Sequence, residues 1–142
     1  MKYVFICSPY RPIGKDLETE LKNNIDQAKR ACRLAMSRGL IPLAPHLYFT
    51  QFLDDNDPQE RKFGQQAGKE WMRCVSEVWV VGDRISSGME EEVNYYGYLI
   101  AEHLTGPRSD RGFSYASVIQ QPSSSEECLF CQLRRLAMVH TL

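Results

Sequence analysis

Two short stretches of this chain, Tyr3-Val4-Phe5-Ile6-Cys7 and Val78-Trp79-Val80-Val81, are apolar without a break. A strand with one wet face alternates apolar and polar residues. An unbroken run suits a strand covered on both faces, the ordinary condition of a parallel sheet between helix layers. Between the two runs lies a pattern that no strand can satisfy. Leu17, Leu21, Ile25, Ala28, Cys32 and Ala35 recur at steps of 4, 4, 3, 4 and 3, one apolar stripe on a 3.6-residue period. This predicts a long helix over about Lys15 to Arg38, with Gly39 as its stop. Leu40 to Ala44 reads as a second strand, weakened by Pro42. Strand, helix and strand at this spacing form a right-handed crossover unit with parallel strands.

The rest of the chain repeats the alternation. Pro45 to Asn56 reads as a loop. Asp57-Pro58-Gln59-Glu60 then announces a helix, with Asp57 as cap and Pro58 in the first turn. Its expected buried side is Phe63, Ala67, Trp71 and Val75. The run Val78 to Val81 is the third strand, and Gly82 to Gly88 is a loop. Ser87-Gly88-Met89-Glu90 has the capping-box pattern for a third long helix, whose inner face is expected at Met89, Val93, Gly97, Ile100 and Leu104. After Leu104 the periodicity fades. Tyr115 to Ile119 reads as a fourth strand and Cys128 to Val139 as a final helix. The expected division is therefore an α/β domain over residues 1–105 and a C-terminal extension over 106–142. The fold class is α/β, a mostly parallel sheet covered by helices on both faces.

Composition sets limits on function. A chain of 142 residues buries roughly 70% of the surface its unfolded form exposes, so its core needs neither disulfides nor metal. Seventeen basic against eighteen acidic groups leave a net charge of −1, which argues against a broad polyanion-binding surface and hence against a nucleic acid polymer as partner. No apolar run approaches the roughly 20 residues of a membrane span. The apolar part of the N-terminus is too short for a secretory signal. Five scattered cysteines suit buried thiols in a reducing compartment, so the expected location is cytoplasmic. Cys128-x-x-Cys131 with His140 lacks a nearby fourth zinc ligand, and Asp54, Asp55 and Asp57 lack the glycine and distal glutamate of a calcium loop. Those aspartates read as solvated turn and cap, and no metal or other cofactor is expected.

Open parallel sheets bind ligands at the carboxyl ends of their strands, where strand order reverses. Ser8 to Arg11, His46 to Tyr48 and Asp83 to Glu92 all follow expected strand ends, so three polar clusters converge on one sheet edge. On the third long helix, with Met89 at zero and about 100° per residue, Glu91 falls near 200° and Glu92 near 300°. Glu91 points to solvent, and Glu92 flanks the buried stripe. Three glutamates in opening turns also complement the helix dipole, which accounts for Glu90 and Glu91 without requiring an inward Glu92. A carboxylate over such a crevice can attack an anomeric carbon and form a glycosyl ester. Departure of a nucleobase needs a proton donor or hydrogen bond. Asp83, directly after the third strand, is the nearest partner in sequence, and it also fits a loop aspartate bonding to its own turn. Ser8, Tyr10 and Arg11 suit a phosphate or a sugar hydroxyl. His46 could bond a base, with Tyr48 or Phe49 stacking on it.

These residues, in this order, resemble the nucleoside 2-deoxyribosyltransferase-like family. The resemblance rests on Phe5-Ile6-Cys7-Ser8-Pro9-Tyr10-Arg11, Asn24 with Ala28, Ile41-Pro42-Leu43-Ala44-Pro45-His46, Val80-Val81-Gly82-Asp83 and Ser87-Gly88-Met89-Glu90-Glu91-Glu92. It covers about Lys2 to Leu104, and the tail after Gly106 matches no pattern of the family. It implies a flavodoxin- or Rossmann-like three-layer sandwich with a short, mostly parallel sheet of four to five strands, and a nucleoside or deoxynucleotide ligand. The family's Gly-x-x-x-Glu pattern falls on Gly88 and Glu92, with Met89 between them, and the acid after the third strand falls on Asp83. The resemblance also implies that Ser86 and Ser87 suit a phosphate, and that the chain forms at least a homodimer. The departures are as informative. Ser86 and Ser87 stand where transferases often carry an aspartate, and the tail offers no clear counterpart to the C-terminal aromatic that some members lend to a neighbouring subunit. The expected activity is cleavage of the N-glycosidic bond of a deoxyribonucleoside or its 5′-monophosphate, by transfer or hydrolysis. The alternative is a non-catalytic nucleotide-binding module using the same crevice.

Overall fold

In a computed structural model the chain is described over residues 1–105 and 117–119, with side chains described through residue 102. The elements are β1 (Lys2–Cys7), α1 (Leu17–Ser37), β2 (Leu40–Leu43), α2 (Pro45–Phe49), α3 (Pro58–Met72), β3 (Glu77–Val81), α4 (Ser87–Thr105) and β4 (Ser117–Ile119). The strands stand in the order β2-β1-β3-β4, and every pairing is parallel. Within the continuous described chain, β2, β1 and β3 make a three-stranded sheet. The expectation is of four to five strands; the three-residue β4 pairs with β3 over Trp79 to Val81 as a fourth, and no fifth strand is seen among the described residues.

The unbroken apolar runs divide between two faces. Val4, Ile6, Trp79 and Val81 pack with Ala31 and Ala35 of α1. Phe5, Cys7, Val78 and Val80 pack with Met72 of α3 and with Met89, Val93, Tyr96 and Leu99 of α4. This is a three-layer α/β arrangement, consistent with a flavodoxin-like fold. Pro42 is tolerated because β2 is the sheet's outer strand, where a missing N–H costs no ladder bond on the open side.

Three helices sit rotated from the faces expected of them. In α1 the buried residues are Asn24, Ala28, Ala31 and Ala35, while Leu17 is 55% exposed. Small residues let this helix lie close on the sheet. In α3 the buried residues are Gly68 and Met72, and Phe63 is 62% exposed. A Cβ on Gly68 would stand 3.3 Å from Pro45, so the bare glycine admits α2 against α3. In α4 the expected Met89 and Val93 are buried, and farther along Tyr96 and Leu99 are buried while Gly97 is exposed. The loop expected over Pro45 to Asn56 begins instead with the helix α2, whose first turn accepts Pro45. The fourth strand expected over Tyr115 to Ile119 is described over Ser117–Ile119, and the final helix expected over Cys128 to Val139 lies outside the described residues. Among the described residues no helix is long and apolar enough to cross a membrane.

Candidate functional site

The chain leaves β1, passes to β2 on one side, and returns across β1 to β3 on the other. The point of reversal is between the carboxyl ends of β1 and β3, where an α/β sheet opens a crevice. A cavity of about 560 Å³ lies there. Ser8, Tyr10 and Arg11 reach it from the segment after β1, His46 from α2, Asp55 from the turn that follows, and Arg61 and Gln65 from α3. Arg84, Ser86, Ser87, Gly88, Met89 and Glu92 line it from the loop after β3 and the start of α4. Of the residues expected at the site, the structure brings together Ser8, Tyr10, Arg11, His46, Ser86, Ser87, Gly88, Met89 and Glu92. It does not bring in Asp83, which is exposed and outside the lining. Nor does it bring in Tyr48, 54% exposed and set among Phe49, Phe52 and Trp71.

The opening of α4 is fixed one residue earlier than its capping pattern suggests. Ser86, not Ser87, is the cap: its carbonyl accepts from Glu90 N at 2.9 Å, and its Oγ accepts from Met89 N at 3.3 Å. Glu91 faces outward and pairs with Lys69 of α3 at 3.3 Å. Glu92 turns inward. The residue keeps some surface open to the cavity, yet its carboxyl is almost wholly surrounded by protein. Burial raises its pKa to about 7; the Cys7 thiol and Lys69 act the other way, and Glu91 adds to the rise. The Cys7 thiol, at the buried end of β1, has two acceptors in reach. It donates to the Met89 carbonyl at 3.8 Å and toward Glu92. Burial first, and then the Glu92 charge, hold this thiol well above its usual range, so it stays protonated.

His46 is hydrogen-bonded through Nε2 to Ser8 Oγ at 2.8 Å. Burial lowers its pKa to about 4, against the opposing pull of Asp55, so the ring is neutral near pH 7. The segment carrying Tyr10 and Arg11 is tied to α1, because the buried Asn24 donates from Nδ2 to the Tyr10 carbonyl at 3.0 Å.

The sequence alone places Asp55 in a solvated turn. It instead pairs with Arg11 Nε at 2.6 Å and with Arg61 Nη1 at 2.7 Å, joining the segment after β1 to α3. Arg84 donates to the Arg11 carbonyl at 2.8 Å and pairs with Glu20 at 3.3 Å. Asp55, Arg61, Gln65 and Arg84 are therefore site residues that the sequence reading missed. One signal for two of them was present: Arg61 and Gln65 are four apart at the start of α3 and share a helix face. The cavity's three guanidiniums are paired with Asp55 and Glu20, and their remaining N–H donors suit an anionic or hydroxyl-rich ligand. Among the described residues no group of three or more His, Cys, Asp or Glu is placed to hold a metal.

The arrangement defines an α/β protein with an open crevice at its topological switch point. A family model described as Domain of unknown function (DUF7768) matches residues 2–99, and the chain belongs to that family. Among solved structures, the chain is similar in fold to a 2-deoxyribosyltransferase from the psychrotolerant bacterium Bacillus psychrosaccharolyticus. The TM-score is 0.56 at 14% identity, over 91% of this chain and 79% of that one. Among curated proteins none matches the chain in sequence. The likeness is one of fold, at a distance where sequence no longer carries the activity across.

Proposed function

We propose that the protein cleaves the N-glycosidic bond of a deoxyribonucleoside or its 5′-monophosphate, with Glu92 as nucleophile. The observation that carries this reading is the placement of the Glu92 carboxyl, enclosed by protein and open on one side to a nucleotide-sized cavity. The fold likeness to a 2-deoxyribosyltransferase supports it. In this reading the ionised Glu92 attacks C1′, and the bond to the base breaks with its electron pair going to the base, which takes up a proton from solvent water. The glycosyl ester is then opened by water or by a second base. Ser8, Arg11, Ser86 and Ser87 hold sugar hydroxyl or phosphate, and His46 meets the base. A neutral His46 suits that role, because one ring nitrogen then donates and the other accepts. Small-molecule ligands, a homo-oligomeric state and a cytoplasmic setting belong to the same proposal. Cys7, Cys32 and Cys74 are all free thiols, as a reducing compartment allows.

The test is chromatographic release of free base from the four deoxynucleosides and their monophosphates. Glu92→Gln is expected to lose at least about 10²-fold in rate, since a carboxamide cannot form the ester. Wild-type turnover is expected to rise with pH through about 7 as the carboxyl ionises. Unchanged turnover in Glu92→Gln removes the mechanism.

One observation favours a second reading, a nucleotide sensor without turnover. With Asp83 outside the lining, no carboxyl other than Glu92 and the arginine-paired Asp55 lines the large cavity among the described residues. Tight binding of a nucleotide with no base released selects this reading.

A further inference from the structure

Cys7 is the buried polar group that the proposed mechanism leaves unused. It is the last residue of β1, is wholly buried, and packs in one core cluster with Met89, Val93 and Tyr96 of α4. For packing alone any small hydrophobe would serve there; a thiol adds one hydrogen-bond donor. Its Sγ stands 3.8 Å from the Met89 carbonyl, in the opening turn of α4. Met89 and Glu92 are three residues apart and are neighbours on the helix surface. The one S–H therefore meets two acceptors, the Met89 carbonyl and the Glu92 carboxyl, and serves one at a time.

The other titratable and charged groups that face Glu92 are engaged elsewhere. Lys69 of α3 pairs with Glu91, the like charge beside Glu92 on α4, at 3.3 Å. Arg61 of α3 pairs with Asp55, and His46 of α2 is bonded to Ser8 and lies against the Tyr10 ring. Across the cavity Arg11 pairs with Asp55, and Arg84 with Glu20.

Deepening the proposed function, we infer that Cys7 is a positioning residue for Glu92: its thiol turns from the Met89 carbonyl to the carboxylate when Glu92 ionises, and holds that carboxylate at the cavity. No proton changes hands. Burial and the Glu92 charge keep the thiol protonated, so it acts as a donor throughout. A hydrogen bond to an anion is stronger than one to a neutral carbonyl, so ionisation itself moves the donor. The contact favours the form of Glu92 that attacks carbon, and it opposes the burial that raises the pKa of that carboxyl to about 7.

The experiment is a pH titration of the Glu92 carboxyl, followed by carbon-13 NMR in protein labelled at glutamate, with Glu92→Gln identifying the signal. No substrate is present, so the outcome stands apart from that of the base-release assay. The wild type is expected to titrate near 7. Cys7→Ala removes the donor and is expected to titrate about half a pH unit or more higher. Cys7→Ser restores a donor and is expected to return the midpoint to the wild-type value or below it. A packing role alone lowers Tm in both variants and leaves the three midpoints equal, and that result overturns the inference. So does a Cys7→Ser midpoint that stays with Cys7→Ala. Should either variant fail to fold, the infrared S–H stretching bands decide. One band is expected to fall in frequency as pH rises through about 7 in the wild type, and none in Glu92→Gln. Bands that do not move in the wild type overturn the inference.

Discussion

At the scale of single residues, the energetic stakes lie in two groups with opposite sign. Glu92 has its pKa raised from 4.5 to about 7, chiefly by burial. The folded protein therefore holds a proton that the unfolded chain has lost across that window. Its contribution to stability is fully present below about 4.5 and lost as pH rises through about 7, a swing of roughly 3 kcal/mol. His46 has its pKa lowered from 6.5 to about 4, also by burial. Its contribution is present above 6.5 and lost as pH falls toward 4. The two slopes oppose one another between about 4.5 and 6.5, so the wild-type protein is expected to show a shallow profile there. Glu92→Gln removes one slope and exposes the other. Urea unfolding between about pH 5 and pH 8 should show the variant gaining on the wild type as pH rises; a constant difference would mean that the carboxyl is not held protonated. Glu92 was legible in the sequence, because helical angle alone turns it inward beside Met89 and Val93. Asp55 was not, because Arg11 lies 44 residues upstream and only the fold brings it beside the turn that Asp55 shares with nearby Arg61.

At the scale of elements, helix existence was readable and helix rotation was not. Hydrophobic periodicity chose Phe63, Ala67 and Trp71 as the inner face of α3, whereas Gly68 and Met72 face inward. Glycine has no hydrophobic signal, yet its lack of a side chain brings α2 and α3 into contact and aims Arg61 and Gln65 at the cavity. The same logic moves α1 onto its alanines. Turn chemistry is more local and constrains more tightly. Gly82, between β3 and the site loop, has φ +115, and a Cβ there would stand 3.2 Å from Pro9 Cδ and 3.3 Å from Gln27 Oε1. Gly82→Ala combines backbone strain with a clash against the segment after β1 and is expected to cost about 2 kcal/mol or more. Thermal melts check the cost. Ligand titration of the folded fraction should also show weaker binding, since both cavity-lining loops are displaced. An unchanged Tm would mean that this turn relaxes freely.

At the scale of the whole molecule, two apolar layers share one sheet, and Trp79 is the largest fully buried side chain in it. Its Nε1 donates to Glu77 Oε2 at 3.0 Å, and the Arg38 guanidinium lies 5.2 Å from its ring centre. Trp79→Ala is expected to cost about 3–5 kcal/mol, a large share of the roughly 5–15 kcal/mol that holds a domain together. Circular dichroism at 37 °C should show substantial unfolding, and Trp71, the other tryptophan, reports the same event by fluorescence. Wild-type-like stability would mean that the α1 layer contributes little. The sequence by itself determined the order of the strands and the long helices, the two-sided burial of β1 and β3, and the one acid of α4 that turns inward. Each of these is a pattern within a single element, either an unbroken apolar run or a 3.6-residue repeat of the backbone. Only the tertiary structure decided that Asp55, Arg61, Gln65 and Arg84 join the site while Asp83 and Tyr48 stand outside it. Those placements depend on how closely and at what rotation the elements meet, and here glycines and alanines, which local patterning cannot see, set that approach.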